Sequence, residues 1–197
     1  WNHPCIMAWV PLNESWGVPD VANNSMQQNF TARMAQLTRS LDPTRPVVDN
    51  SGWCHVDTDI VDIHPYTGDP VELAAMIEQM LRTGEPGHSY PAPVWVGGAK
   101  DGGQPIVVSE YGGIALDADV EPEKGNEGGW GYGHAAQTPE DLLRRFAELT
   151  KAIIQNKEVA GYVYTQLTDV EQEKNGLLKF DRQPKAPIEA IAAAQKD

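Results

Sequence analysis

Pro105-Ile106-Val107-Val108-Ser109-Glu110-Tyr111-Gly112-Gly113 and Ile6-Met7-Ala8-Trp9-Val10-Pro11-Leu12-Asn13-Glu14-Ser15-Trp16 end alike. In each, an apolar run stops at a glutamate and passes at once into aromatic or glycine residues. A run of this length closed by turn signals reads as a strand buried on both faces, the kind that parallel sheets contain. A carboxylate at the C-terminal end of such a strand stands where an α/β barrel keeps its reactive groups.

Strand and helix signals alternate around these two segments. Met26, Phe30, Met34, Leu37 and Leu41 recur at steps of three and four, one apolar stripe of a helix closed by Asp42-Pro43. Val47-Val48-Asp49 reads as a second, shorter strand and Asp59–His64 as a third, closing at Pro65-Tyr66. Asp69, Pro70 and Glu72 have the order of an N-cap, a first helical position and a capping-box acid, with Leu73, Ile77 and Met80 as the buried face behind them. Residues 83–104 and 117–137 are long Gly-rich loops, the second carrying Trp130 and Tyr132. Thr138-Pro139 opens a helix with Leu142, Phe146, Leu149 and Ile153 on one side; Gly161–Leu167 is the last strand, and an Ala-rich helix follows from Pro187. The expectation is one α/β domain over residues 1–197, with parallel strands joined by right-handed crossovers. No G-x-G-x-x-G follows the first strand, which counts against a dinucleotide site.

The 197 residues suffice for one domain with a substantial core and are too few for most complete (β/α)8 barrels. A formal net charge of -13 argues against nucleic acid and anionic membranes as partners, because both need a basic surface. No run of roughly 20 apolar residues is present to span a bilayer. Cys5 and Cys54 have neither metal nor redox spacing; both adjoin expected strands, so packing as small hydrophobes is favoured over a disulfide. The chain opens at Trp1-Asn2-His3-Pro4 straight into a strand, so a piece of a longer polypeptide is expected.

At Asn13-Glu14 and Ser109-Glu110-Tyr111-Gly112-Gly113 the sequence resembles glycoside hydrolase family 2, the retaining β-galactosidases, β-glucuronidases and β-mannosidases. The Asn2-His3-Pro4 opening, Leu41-Asp42-Pro43-Thr44-Arg45-Pro46, Trp130-Gly131-Tyr132-Gly133 and Tyr164-Thr165-Gln166-Leu167-Thr168-Asp169 are similar to its catalytic domain in the same order. The resemblance implies a TIM-barrel fragment, strands four to eight, with the earlier strands and the preceding β-sandwich domains outside this sequence. It makes Glu14 the acid/base and Glu110 the nucleophile.

Retention asks for two carboxyls roughly 5–5.5 Å apart, one protonated near neutral pH to assist the leaving oxygen and one ionised to attack. Asn13 is expected to donate to a sugar 2-hydroxyl, with a turn-forming Asn as the alternative. The resemblance implies that Tyr66 contacts the nucleophile or the sugar, where its phenol would hold Glu110 ionised. His64 is expected to line the barrel as a polar group rather than to ligate a metal. Trp16, Trp53 and Trp130 are candidates for stacking on sugar C–H faces, with packing under the loops as the alternative. Asp169, Glu171 and Glu173 read as a solvated acidic loop, with selection of a substrate hydroxyl as the alternative; Asp49 and Asn50 receive no role. No organic cofactor and no metal is implied. The expected partners are a carbohydrate substrate, the N-terminal remainder of the polypeptide and, through an open sheet edge, a second copy of the chain. The rival reading is a carbohydrate-binding or scaffold fragment without turnover.

Overall fold

The computed structural model describes residues 3–87, 90–116 and 128–196. Asn2 of the opening motif, His88 and most of the 117–137 loop lie outside the described residues. The elements run α1 (Ser25–Leu41), β1 (Val61–Ile63), α2 (Pro70–Thr83), β2 (Ile106–Gly112), α3 (Pro139–Ile154), β3 (Val159–Thr165) and α4 (Ile188–Ala193). The three strands form a sheet in the order β1-β2-β3, with β1 and β2 parallel in the register Val61↔Ile106, Asp62↔Val107 and Ile63↔Val108.

Helix ends follow local chemistry. The Asn24 side chain accepts from the N–H groups of Met26 at 3.0 Å and Gln27 at 3.3 Å, capping α1. Asp69 caps α2 by accepting from Val71 N–H at 2.8 Å, whereas Glu72 accepts from the Thr67 hydroxyl instead of closing a capping box. Thr138 caps α3, accepting from Asp141 N–H at 3.2 Å. The expected faces of α2 (Leu73, Ile77, Met80) and α3 (Leu142, Phe146, Leu149, Ile153) are buried.

The stripe on α1 behaves differently. Its buried residues are the small Thr31 and Ala35, while Met26, Phe30, Leu37 and Leu41 are 50% exposed or more. The periodicity identified the helix correctly; the apolar side of α1 faces outward.

The opening segment also departs from expectation. Two isolated parallel bridges, Trp9↔Val47 and Asn13↔Ser51, stand where continuous strands were expected at 6–12 and 47–49. Backbone bonds Val48 N–H to Trp9 O and Ser51 N–H to Leu12 O, each 2.9 Å, link the segments. Pro11 and Pro46 bring no N–H, which interrupts the ladder. Nor is the segment buried on both faces: Met7 and Val10 are exposed, and so is Cys5, whose packing role fails, whereas Cys54 is buried. Both cysteines are free. β1 is shorter than expected because Asp59 pairs with Val47 instead, donating its N–H to Val47 O at 2.9 Å and accepting from Val47 N–H through its carboxylate at 2.8 Å.

Backbone contacts divide the chain into two compact units. The first holds Trp1–His64, Glu78–Ser109 and Glu158–Gly161; the second holds Pro65–Ile77, Glu110–Lys157 and Tyr162–Asp197. Val18, Val21, Cys54 and Val96 form a core cluster in the first unit, and Phe146, Leu177, Ala186 and Ile191 one in the second. In the second unit Asp169 is not a solvated acid: it is buried, pairs with Lys185 at 2.8 Å and accepts from Gly176 N–H. No helix among the described residues is long and apolar enough to cross a membrane.

Candidate active site

In the first unit the chain leaves Asn13 through a left-handed turn, with φ of 50° at Glu14, 61° at Ser15 and 89° at Gly17. Left-handed backbone at residues other than glycine costs about 1 kcal/mol or more each and persists only where the surroundings over-determine it. Here Glu14 N–H donates to Ser51 O and Trp16 N–H to Asn13 O, both at 2.9 Å. Asn50, fully buried, accepts from Ser15 N–H at 2.9 Å and donates to the Ser15 hydroxyl at 3.1 Å and to Trp53 O at 2.6 Å. Asn50, which the sequence left without a role, therefore fixes the turn that presents Glu14. Its only signal there was a carboxamide at the end of an expected strand.

Behind Glu14 stands His64, buried on β1's outgoing end. Its Nδ1 meets Glu14 Oε1 at 2.8 Å and its Nε2 meets the Ser51 Oγ at 3.0 Å. The Ser51 hydroxyl donates to Asp62, which also accepts from Gly52 N–H at 3.0 Å and from the Ser109 hydroxyl at 2.5 Å. With its one proton committed to Asp62, Ser51 can only accept from His64, so Nε2 carries a hydrogen. Nδ1 and Glu14 Oε1 then share one proton. A neutral imidazole accepts it from a carboxylic acid, and an imidazolium donates it to a carboxylate.

Gly52 makes this fit possible. A Cβ there would lie 2.7 Å from His64 Nδ1, and its φ of +99° is glycine territory. Trp53 closes over the imidazole edge-on, with ring centroids 5.9 Å apart.

Asp49, the other residue without an expected role, anchors the same wall. His55 is fully buried and binds Asp49 through Nδ1 at 2.8 Å and Asp62 O through Nε2 at 3.1 Å. Burial opposes charge on His55, but the bond to Asp49 and the nearby carboxylates outweigh it and raise its pKa. Burial likewise opposes the Asp49 anion, yet His55 and the N–H groups of Asp57 and Val56 lower its pKa. Burial pushes the Cys54 thiol up to about 11, so it stays protonated and is no nucleophile.

The second unit carries Glu110 near the end of β2. The Tyr66 hydroxyl donates to Glu110 Oε2, the contact the sequence suggested. Burial first, and then the Glu110 carboxylate, push the Tyr66 phenol well above its ordinary range, so it remains a donor. Tyr132 stacks flat on Tyr66, with centroids 3.6 Å apart and planes 8° from parallel, and Trp130 meets Tyr132 edge-on at 5.6 Å. A Cβ at Gly113 would approach Tyr132 to 2.4 Å and one at Gly112 would approach Tyr164 to 2.2 Å, so the glycine pair after Glu110 leaves room for the rings. The sequence placed Tyr132 in this loop without a role; its signal was the Trp-Gly-Tyr-Gly pattern.

Of the expected residues, Glu14, His64 and Trp53 come together in the first unit, and Glu110, Tyr66 and, through Tyr132, Trp130 in the second. Trp16 is 77% exposed, and Asn13 is exposed and pairs with Ser51 through its backbone.

The family model "Glycosyl hydrolases family 2, TIM barrel domain" matches residues 1–196. The chain belongs to glycosyl hydrolase family 2. Its elements are accordingly a fragment of the family 2 TIM barrel. Among solved structures, a GH2 β-galacturonidase from Eisenbergiella tayi bound to glycerol matches with a TM-score of 0.68 at 19% identity, covering 99% of this chain and 34% of that one. A β-D-glucuronidase from Dictyoglomus thermophilum matches at 0.65 and 20% identity, covering 100% and 33%. Bacteroides uniformis β-glucuronidase 2, covalently bound to cyclophellitol-6-carboxylate aziridine, matches at 0.67 and 18% identity, covering 100% and 24%. The chain thus spans between about a quarter and about a third of the length of these solved structures.

Proposed function

We propose that residues 1–197 are the C-terminal portion of the catalytic barrel of a retaining exo-β-glycosidase. The observation that carries this reading is the Tyr66 hydroxyl on the carboxylate of Glu110 at the end of β2, in a chain of a glycosidase family. Glu110 attacks the anomeric carbon of a terminal sugar. The bond to the leaving oxygen breaks as that oxygen takes a proton from Glu14, and a glycosyl ester forms on Glu110. Glu14, now a carboxylate, takes a proton from water as the water attacks the anomeric carbon and releases Glu110. His64, whose Nδ1 lies 2.8 Å from Glu14 Oε1, holds the Glu14 carboxyl in place and leaves its other oxygen to exchange the proton. The Tyr66 phenol orients Glu110 for attack and stabilises it again as it leaves. Asn13 remains the candidate donor to the sugar 2-hydroxyl.

Mass spectrometry after incubation with a panel of 2-deoxy-2-fluoro-β-glycosides tests this. An adduct on Glu110 is the expected result, and the reacting reagent identifies the sugar. Hydrolysis of the parent glycosides with labelling at another carboxylate would overturn the nucleophile assignment. The second reading, a binding or scaffold segment without turnover, draws on the chain's spanning only about a quarter to a third of its solved relatives. Sugar binding without hydrolysis in the polypeptide that carries this chain would favour it.

A further inference from the structure

In the second unit α3 packs on α4, and a cavity of about 460 Å³ opens beside their C-terminal ends. Neither Glu110 nor its tyrosine partner is in its lining. Ala147, Ile154 and Ala194 supply an apolar wall, and Lys151, Lys157 and Lys196 supply charge. Ala194 rests on the core cluster of Phe146 and Ile191, which fixes that wall. Gln155 is the one uncharged polar side chain around it.

Three cations on one small cavity need a reason in a chain whose formal net charge is -13. Helix ends give part of it. The last carbonyls of an α-helix carry roughly half a negative charge, which favours lysine nearby. Lys151 stands in the last turn of α3. Two such ends offset about one cation at most, and α4, with six residues, contributes less than a long helix does. Carboxylates do not take up the rest. None of the three lysines forms an ion pair among the described residues, and Glu148, the acid nearest to Lys151 in sequence, is held by Arg144 at 2.8 Å. About two positive charges are left for whatever enters.

We infer that this cavity binds a small amphiphilic anion, an apolar body that carries one carboxylate. The apolar wall takes the body without stranding a polar group. The lysine stems extend that wall while their ammoniums meet the anion. A neutral apolar molecule would leave the cations uncompensated, and a small inorganic anion would leave the wall uncovered. The volume lies within the range of small-molecule sites. The inference is independent of the proposed glycosidase reaction, since it uses neither carboxyl of that site.

The polypeptide carrying this chain, with labelled Ile and Met methyl groups, is titrated by NMR with octanoate, 1-octanol, octylammonium and acetate, all below micelle-forming concentrations. The Ile154 signal, assigned with Ile154→Val, should shift and saturate with octanoate. Octanol and octylammonium should bind about tenfold more weakly or worse. The combined variant Lys151→Gln, Lys157→Gln and Lys196→Gln should lose about tenfold in octanoate affinity and none for octanol. Ala147→Trp, which fills the cavity, should abolish binding of both and so separates loss of space from loss of charge. Octanoate binding no better than octanol, or full affinity in the lysine variant, would overturn the anion. Acetate shifting Ile154 as strongly as octanoate would overturn the apolar body. Met26, on the exposed face of α1, should stay in place; its moving together with Ile154 would mean general adsorption and overturn the site.

Discussion

Glu14 and Glu110 occupy equivalent places in the sequence, each closing an apolar run, yet the molecule holds them by different chemistry. Glu14 sits on a left-handed turn against an imidazole whose far nitrogen is tied through Ser51 to a buried aspartate. Glu110 sits on regular strand and accepts from a phenol stacked under a second tyrosine. An imidazole nitrogen can accept or donate a hydrogen bond, whereas a phenol forced far above its ordinary range can only donate. One carboxyl has a partner that can hydrogen-bond it protonated or ionised, the other a partner suited to keeping a negative charge in place.

Removing the two carboxyls should separate these jobs most sharply. Glu110→Gln should lower kcat by about 10⁴-fold or more for every glycoside, whatever its leaving group. Glu14→Ala should lose about 10²- to 10⁴-fold on glycosides with poor leaving groups but far less on 2,4-dinitrophenyl glycosides, which need no proton to depart. Equal losses on both substrate types would erase the distinction. The supporting residues should repeat the pattern at smaller scale. Tyr66→Phe should cost about 10²-fold irrespective of leaving group, and His64→Phe about tenfold, confined to poor leaving groups. The ratio of the two substrate types in each variant is the measurement.

The supports of the Glu14 turn should show in stability more than in rate. Asn50→Ala leaves Ser15 N–H and Trp53 O without their buried partner and should cost about 1–3 kcal/mol in urea unfolding. The Asp49–His55 pair predicts the smallest effect, through pH. His55 has a folded pKa above its ordinary 6.5, so its contribution is complete below 6.5 and is lost as pH rises through the raised value. Asp49 has a folded pKa below its ordinary 3.8, so its contribution is complete above 3.8 and is lost as pH falls through the lowered value. The unfolding midpoint should therefore decline on the alkaline side of 6.5, and Asp49→Asn should flatten that decline.

The sequence spoke most clearly where one side chain's chemistry acts locally. The caps at Asp69 and Thr138 and the buried faces of α2 and α3 were legible in that way, whereas the Tyr66–Glu110 contact, between residues 44 apart, came only through the family resemblance. Contacts set by the turn of the backbone were not. Asn50 reaches Ser15 only because residues 14–17 curl through positive φ, and no residue type at Glu14 or Ser15 advertises that. Asp169 looked solvated because its neighbours in sequence are acidic; Lys185, its partner, lies sixteen residues on. The α1 stripe marks the limit of periodicity, which reports that a helix has an apolar side and not what that side faces.

That stripe has a practical consequence in solution. Met26, Phe30, Leu37 and Leu41 line an outward face on a chain whose formal net charge is -13. At low ionic strength mutual repulsion holds copies apart; added salt screens the repulsion and leaves apolar attraction intact. Self-association of this chain should therefore increase with salt, the opposite of a contact built from ion pairs, and dilute buffer is the condition in which to work with it.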